Sequence, residues 1–150
     1  MGDIVYIVWK DEFSVGSVKL DAQHKYMFGL INELFAAMRK GHDAAKVKRV
    51  SDGAFDYSRI HFTDEERIML QNGFPQFTSH RQIHQDYSQE IKRLMAESQR
   101  RFGDISSELL RFLKAWWLNH ILNMDQKYAP YIAAENANHA TTLNQDMGTE

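Results

Sequence analysis

An all-α fold, an antiparallel up-down-up-down four-helix bundle with an extended N-terminal arm, is predicted for this 150-residue chain by three observations. Apolar residues recur three and four apart over four long stretches. Capping and turn residues punctuate the chain between those stretches. No segment alternates with the period of a strand. Links of only a few residues cannot carry the chain back to the same end, so successive helices must run in opposite directions.

Residues 1–19 read as an arm in which Trp9, Phe13 and Val15 lie across the ends of the bundle. The first helix is expected from about Leu20 to Lys40, on the recurrence Leu20, Met27, Leu30, Ile31, Leu34, Phe35 and Met38, with Asp21 as N-cap and Gly41 as its end. Asp43 can cap a second helix reaching about Gln71, with Val47, Val50, Ala54, Tyr57, Ile60, His61, Ile68 and Met69 facing inward and Asn72 with Gly73 closing it. Pro75 suits the first turn of a third helix, where its missing N–H costs nothing, and that helix runs to about Arg101 before Gly103. Asp104 and the adjacent serines can cap a fourth, from about Ile105 to Tyr128 before Pro130. At 1.5 Å per residue such helices span roughly 30 to 42 Å. The bundle thus occupies about residues 20–131 of a single domain, and residues 132–150, which lack apolar periodicity, read as a C-terminal extension.

Composition narrows the function. With 43% hydrophobic residues the chain can bury one sizeable core. A formal net charge of -2 offers no field for nucleic acid, and the basic runs KVKR (46–49) and RR (100–101) read as solvated helix faces. The sequence has no cysteine, which excludes disulfides, thiolate zinc sites and cysteine-ligated iron–sulfur clusters, so any metal must take nitrogen and oxygen ligands. The leading MGDIVYIVWKDEF fails as a signal peptide and no apolar stretch is long enough to span a bilayer. Cytoplasm, without membrane insertion, is the expected location.

Five histidines and two carboxylates stand on the four stretches: His24; His61 with Glu65; His80 with His84; His120 with Asp125. His61 with Glu65 and His80 with His84 are four apart, so each pair lies on one helix face. His120 and Asp125 are five apart, about 140° around an ideal helix, so sharing a centre requires a loosened turn or a reaching side chain. A lone helical histidine is more often surface or hydrogen-bonded core, and His42 and His139 fit that description. The other five are flanked by apolar residues, and leaving them unpaired in a core would cost several kcal/mol each. Metal ligation removes that penalty.

Seven ligands exceed the six positions of one octahedral ion, so two ions are expected, with Glu65 and Asp125 as bridges. Of twelve positions, five imidazoles, two bridging carboxylates and a bridging hydroxide fill all but one. One vacancy on one of two adjacent redox metals suits a single small ligand. Ligand type alone admits manganese as well as iron.

The motifs DAQHK (21–25), HFTDEE (61–66), HRQIH (80–84) and WWLNHILNMDQKY (116–128) resemble the metal-ligand pattern of the hemerythrin family over roughly residues 9–131, with all seven ligands present. Its bacterial single-domain members are the most similar, given Trp9, Phe13 and Gly16. The resemblance implies two non-haem iron ions bridged by a hydroxo or oxo group and both carboxylates. His80, His84 and His120 would complete the saturated iron, and His24 and His61 would hold the open one. It also implies reversible dioxygen binding, in which the gas takes two electrons and a proton and returns both on release. Two carboxylates and five neutral imidazoles, fewer anions than ferritin-like sites carry, fit reversal better than further activation. By family position Met27, Phe62, Trp116, Trp117 and Ile121 would border the vacancy, a dry wall that slows autoxidation. One departure stands out: Trp117 occupies the place where the family generally has leucine over the gas, and its indole could shrink the cavity, slow admission or offer its N–H to the ligand.

The expected function is therefore oxygen storage, transport or delivery by a monomer, with dioxygen and an oxygen-consuming enzyme as partners, and no enzymatic activity. The alternatives are an oxygen or redox sensor, which would want an appended transducing domain, and a di-iron enzyme handling peroxide or nitric oxide, which would want a proton donor beside the vacancy. Tyr128 is the nearest hydroxyl, with hydrogen bonding behind the ligands as its expected role, and Asp21 and Gln23 are candidates for the same role near His24.

Overall fold

The computed structural model describes residues 5–39, 43–100 and 106–132. Gly41, His42, Gly103, Asp104, His139 and the C-terminal extension lie outside these residues. Four helices form the bundle: α1 (Val18–Arg39), α2 (Ala44–Gln71), α3 (Phe77–Arg100) and α4 (Ser106–Asn119), with no strand among the described residues. Each packs on its neighbours in sequence, and α4 closes against α1.

α2 begins where Asp43 was expected to cap it, the carboxylate accepting from the N–H groups of Ala45 and Lys46. It ends in a Schellman turn: Gly73 takes φ 67, and the Phe74 N–H reaches back to the Met69 carbonyl at 3.0 Å. Phe74 then packs with Met69, Val15, Leu20, Tyr128 and Ile132 in a small cluster separate from the main core. Ile60, expected inside, is 56% exposed, because the inward stripe of α2 instead follows Ala54, Ser58, His61, Phe62 and Glu65. Pro75 lies in the turn before α3 and not in its first turn, since the Schellman turn must finish before Phe77 can start the helix.

The start of α1 departs from expectation. Ser17, not Asp21, receives the Leu20 N–H, and the helix is already under way at Asp21. The Asp21 carboxylate is free to accept from the Val15 N–H at 2.9 Å and from the Ser14 hydroxyl, tying the arm to the helix. Trp9 and Phe13 do not cross the end of the bundle. Both pack on Phe28, midway along α1, and only Val15 joins the end cluster. The arm is held there by Asn32, whose amide accepts from the Tyr6 and Ile7 N–H groups and donates to the Ile7 carbonyl, all at 2.9 Å.

The fourth helix is not continuous to Tyr128. Regular α4 stops at Asn119; a π-helical turn covers His120–Met124 and a 3-10 turn Asp125–Lys127. Pro130 does not end the helical path either. Residues 129–132 form a further helical turn with Pro130 inside its opening, where no N–H is needed.

Candidate metal centre

The π-helical turn answers the five-residue spacing of His120 and Asp125. The Asp125 N–H bonds the His120 carbonyl, five residues back, so one extra residue is taken up and the carboxylate returns to the face that carries the imidazole. α1 supplies His24, α2 supplies His61 and Glu65, and α3 supplies His80 and His84. All seven side chains are between 0% and 3% exposed.

Their donor atoms form two clusters, Glu65 with His80, His84 and His120, and His24 with His61, Glu65 and Asp125. Glu65 belongs to both. Its Oε1 lies 3.0 and 3.1 Å from the Nε2 atoms of His80 and His84, while its Oε2 lies 3.0 Å from that of His61 and 3.6 Å from that of His24. Asp125 spans the same gap: Oδ1 is 3.0 Å from His120 Nε2 and 3.2 Å from His80 Nε2, and Oδ2 is 3.2 Å from His24 Nε2. Each carboxylate thus turns one oxygen to each cluster.

Residues behind the ligands set the tautomers. The Gln23 amide donates to Asp64 at 2.7 Å and presents its Oε1 to His61 Nδ1 at 2.7 Å, so His61 carries its proton on Nδ1 and turns a lone pair inward. His84 does the same by donating from Nδ1 to Glu66 at 3.0 Å. The Tyr128 hydroxyl donates to Glu65 Oε2 at 2.8 Å. Burial, reinforced by the Asp125 and Glu65 charges, pushes the Tyr128 phenol well above its ordinary value and keeps that donor protonated. Asp21 takes no such part, being committed to the arm, and Gln23 serves His61 and not His24. Glu66 was not anticipated. Its adjacency to Glu65 was visible in HFTDEE, but its partner lies on another helix.

A cation fits this arrangement. Both Asp125 oxygens and His24 Nδ1 are buried without a hydrogen-bond partner. The Asp125 oxygens nonetheless sit about 3 Å from imidazole nitrogens, close in distance but not aligned for hydrogen bonds; the poor alignment is the more telling fact, because atoms converging on a shared point are what ligation requires. His84 and His120 bring their Nε2 atoms within 3.1 Å, as do His120 and His80, and His24 and His61 within 3.0 Å. Nitrogen lone pairs this close need a proton or a metal between them. In the metal-free protein protons serve: burial pushes His24 and His80 down, but the adjacent Asp125 and Glu65 carboxylates more than offset it and raise both to about 9. Burial likewise pushes the Glu65 carboxyl up, yet His61, His120 and His24 hold it well below the usual range.

The surrounding aromatics divide between the clusters. Phe62 lies face to face with His84, with ring centres 3.9 Å apart at 10°, and Trp116 with His120 at 4.3 Å and 13°. Trp117, fully buried, stands 5.6 Å from His61 and 6.3 Å from His24, parallel to Phe62. Met27 and Ile121 are also fully buried, whereas Trp116 is only partly so. The Trp117 N–H is taken by the Tyr87 hydroxyl at 3.2 Å, which removes it as a donor toward the histidines. On the outer side of His84, Phe62 and Glu66 line a solvent-open groove of about 400 Å³ between α2 and α3.

A family model described as "Hemerythrin HHE cation binding domain" matches residues 15–132. The chain is 37% identical over 131 residues to a bacteriohemerythrin of Stenotrophomonas maltophilia, covering 85% of this chain and 82% of that one. It is 32% identical to a myohemerythrin of Theromyzon tessulatum over 80% of this chain and 88% of its relative. A crystal structure of wild-type hemerythrin superposes with a TM-score of 0.78 at 26% identity, over 85% of this chain and 98% of that chain. With the family model spanning most of the chain, and relatives above 30% identity over four-fifths of it, the chain belongs to the hemerythrin family.

Proposed function

We propose that the protein binds dioxygen reversibly at a non-haem di-iron centre and stores, carries or delivers it. The observation that supports this most directly is the pair of nitrogen and oxygen clusters joined through Glu65 and spanned by Asp125. Bound there, two iron ions supply the reversible two-electron chemistry that the gas needs. His80, His84 and His120 would hold one ion and His24 and His61 the other, with Glu65 and Asp125 shared. The second cluster, one imidazole poorer, would be the one with room for dioxygen.

The remaining residues serve reversibility. Gln23 and Glu66 hold His61 and His84 with their lone pairs inward, and Tyr128 fixes Glu65. Met27, Phe62, Trp117 and Ile121 would form a wall that excludes water and offers no acidic proton, since the Trp117 N–H is already engaged, whereas Trp116, expected in that wall, stacks on His120 of the other cluster. A wall of that kind disfavours loss of reduced oxygen and with it an enzymatic outcome. No helix among the described residues is long and apolar enough to cross a membrane. We place the protein in the cytoplasm as a monomer that passes oxygen to a consuming enzyme, a location that the lack of cysteine suits.

Adding air to the anaerobically reduced, iron-loaded protein tests the reading. A visible charge-transfer band that appears with air and disappears on removing it is the expected result. Immediate irreversible oxidation would overturn reversible binding in favour of an enzyme or redox sensor.

A further inference from the structure

Trp117 places an indole N–H among the buried side chains beside His24 and His61. Its indole lies beside the His24 and His61 rings, so a donor on its inner edge would reach whatever occupies the space next to those two imidazoles. The N–H instead points the other way, to Tyr87. Tyr87 is 1% exposed. Burial pushes the Tyr87 phenol upward, so it stays protonated while it accepts the indole N–H.

Two aromatic rings flank Trp117. Phe62 is parallel to it at 5.6 Å, and Trp116 meets it edge-on at 5.1 Å, so the plane is constrained. A half-turn about the bond joining ring to side chain preserves that plane while exchanging its edges. A buried N–H without an acceptor is unfavourable, so the acceptor on offer decides which edge faces inward.

Resting on the dioxygen-binding reading, we propose that Tyr87 is a positioning residue for gas binding: by accepting the Trp117 N–H it pins the indole with its donor turned away from His24 and His61, and so keeps the ligand's surroundings free of donors. Without the phenol oxygen, a turned indole would offer its N–H to a ligand held beside His24 and His61. Holding that ligand slows its release. Tyr87 and Trp117 together thereby set residence time, although neither touches the metal.

The test uses the iron-loaded protein with Tyr87→Phe, which keeps the ring and removes only the hydroxyl. Ultraviolet resonance Raman spectra report indole N–H hydrogen bonding, and stopped-flow mixing reports dioxygen release. The expected result is a shifted indole band together with release slowed roughly tenfold, the scale of one hydrogen bond to a charged group. In a Trp117→Phe background, which retains an aromatic ring but has no N–H, Tyr87→Phe should leave release unchanged. An unshifted band overturns the positioning role, as does unchanged release in the single variant or equal slowing in both backgrounds. If the unaltered protein bound no dioxygen at all, the carrier reading would fall along with the rate effect. The band shift, which needs no gas, would still register the indole's attachment to Tyr87, so the two failures are distinguishable.

Discussion

The two halves of the metal centre are built differently, though they share Glu65 and Asp125. Around His80, His84 and His120, two imidazoles have an aromatic ring stacked flat against them, and Glu66 behind His84 has 23% of its side chain in solvent. Around His24 and His61 the neighbours are tilted and sealed: Trp117 is fully buried, and the residue behind His61 is the buried Gln23. Stacking fixes ring orientation and would suit a half whose positions are all taken, as proposed for His80, His84 and His120. A sealed half with one ligand fewer suits a ligand that must come and go without water. The same ligand chemistry thus acquires two roles from its packing.

Glu65→Ala is the variant that should break the comparison most completely, because it removes the oxygens common to both halves and orphans the Tyr128 hydroxyl. Iron content by elemental analysis is expected to drop from two ions per chain to fewer than one, with stability lower by roughly 3–5 kcal/mol. Retention of two ions would contradict the sharing. His84→Ala should lower iron content less severely, since Glu65 and Asp125 remain.

The residues behind the ligands sharpen the contrast. Gln23→Leu should weaken metal binding by roughly 10- to 100-fold, as removal of a buried partner does, whereas Glu66→Gln keeps an acceptor in partly solvated surroundings and should cost several-fold at most. Competition with a chelator measures both. Equal losses would erase the distinction between a sealed and a solvated half.

Acidity offers a third handle, on the metal-free protein. His24 and His80 are raised to about 9 from an ordinary 6.5, so their pairing with the carboxylates stabilises the fold fully below pH 6.5, and this contribution is lost as pH rises through 9. Asp125 and Glu65 are held low, chiefly by histidines that overcome their burial, so their contribution is present above about pH 4 and disappears as the pH falls further. Denaturant melts should show the metal-free protein losing on the order of 2 kcal/mol between pH 6 and 9. The iron-loaded protein should not lose it, because the metal replaces those protons. A flat profile without metal would show that the imidazoles are not paired as described.

The smallest effect separates the two tryptophans. Trp117→Leu is expected to speed dioxygen association and release by roughly tenfold, equivalent to about 1.4 kcal/mol of barrier, while Trp116→Leu, against the saturated half, should change them little. Stopped-flow traces decide the matter. Equal changes would mean that gas does not approach through the sealed side.

Much of this architecture was legible in residue order because periodicity and ligand spacing are local. Asp43 and Gly73 marked the ends of α2, and the four-residue pairs showed which faces held the ligands. The five-residue gap from His120 to Asp125 called for either a loosened turn or a reaching side chain, and the π-helical turn over His120–Met124 is the first of these. Asp21 misled because an acidic residue near a helix start serves equally as cap or as anchor for a preceding arm, and only the path of the arm distinguishes them. Trp9 and Phe13 misled for the same reason, since Asn32, on a different segment, decides where the arm lies.

The chain by itself determined the helices, the candidate donor set and the family to which they belong, because those follow from residue identity and from separations within single helices. Tertiary structure alone decided that Gln23 serves His61, that Glu66 serves His84 and that Tyr87 claims the Trp117 N–H. Each of these pairs two different helices, and the rotation and height at which helices pack depend on every side chain between them, not on any spacing along one of them.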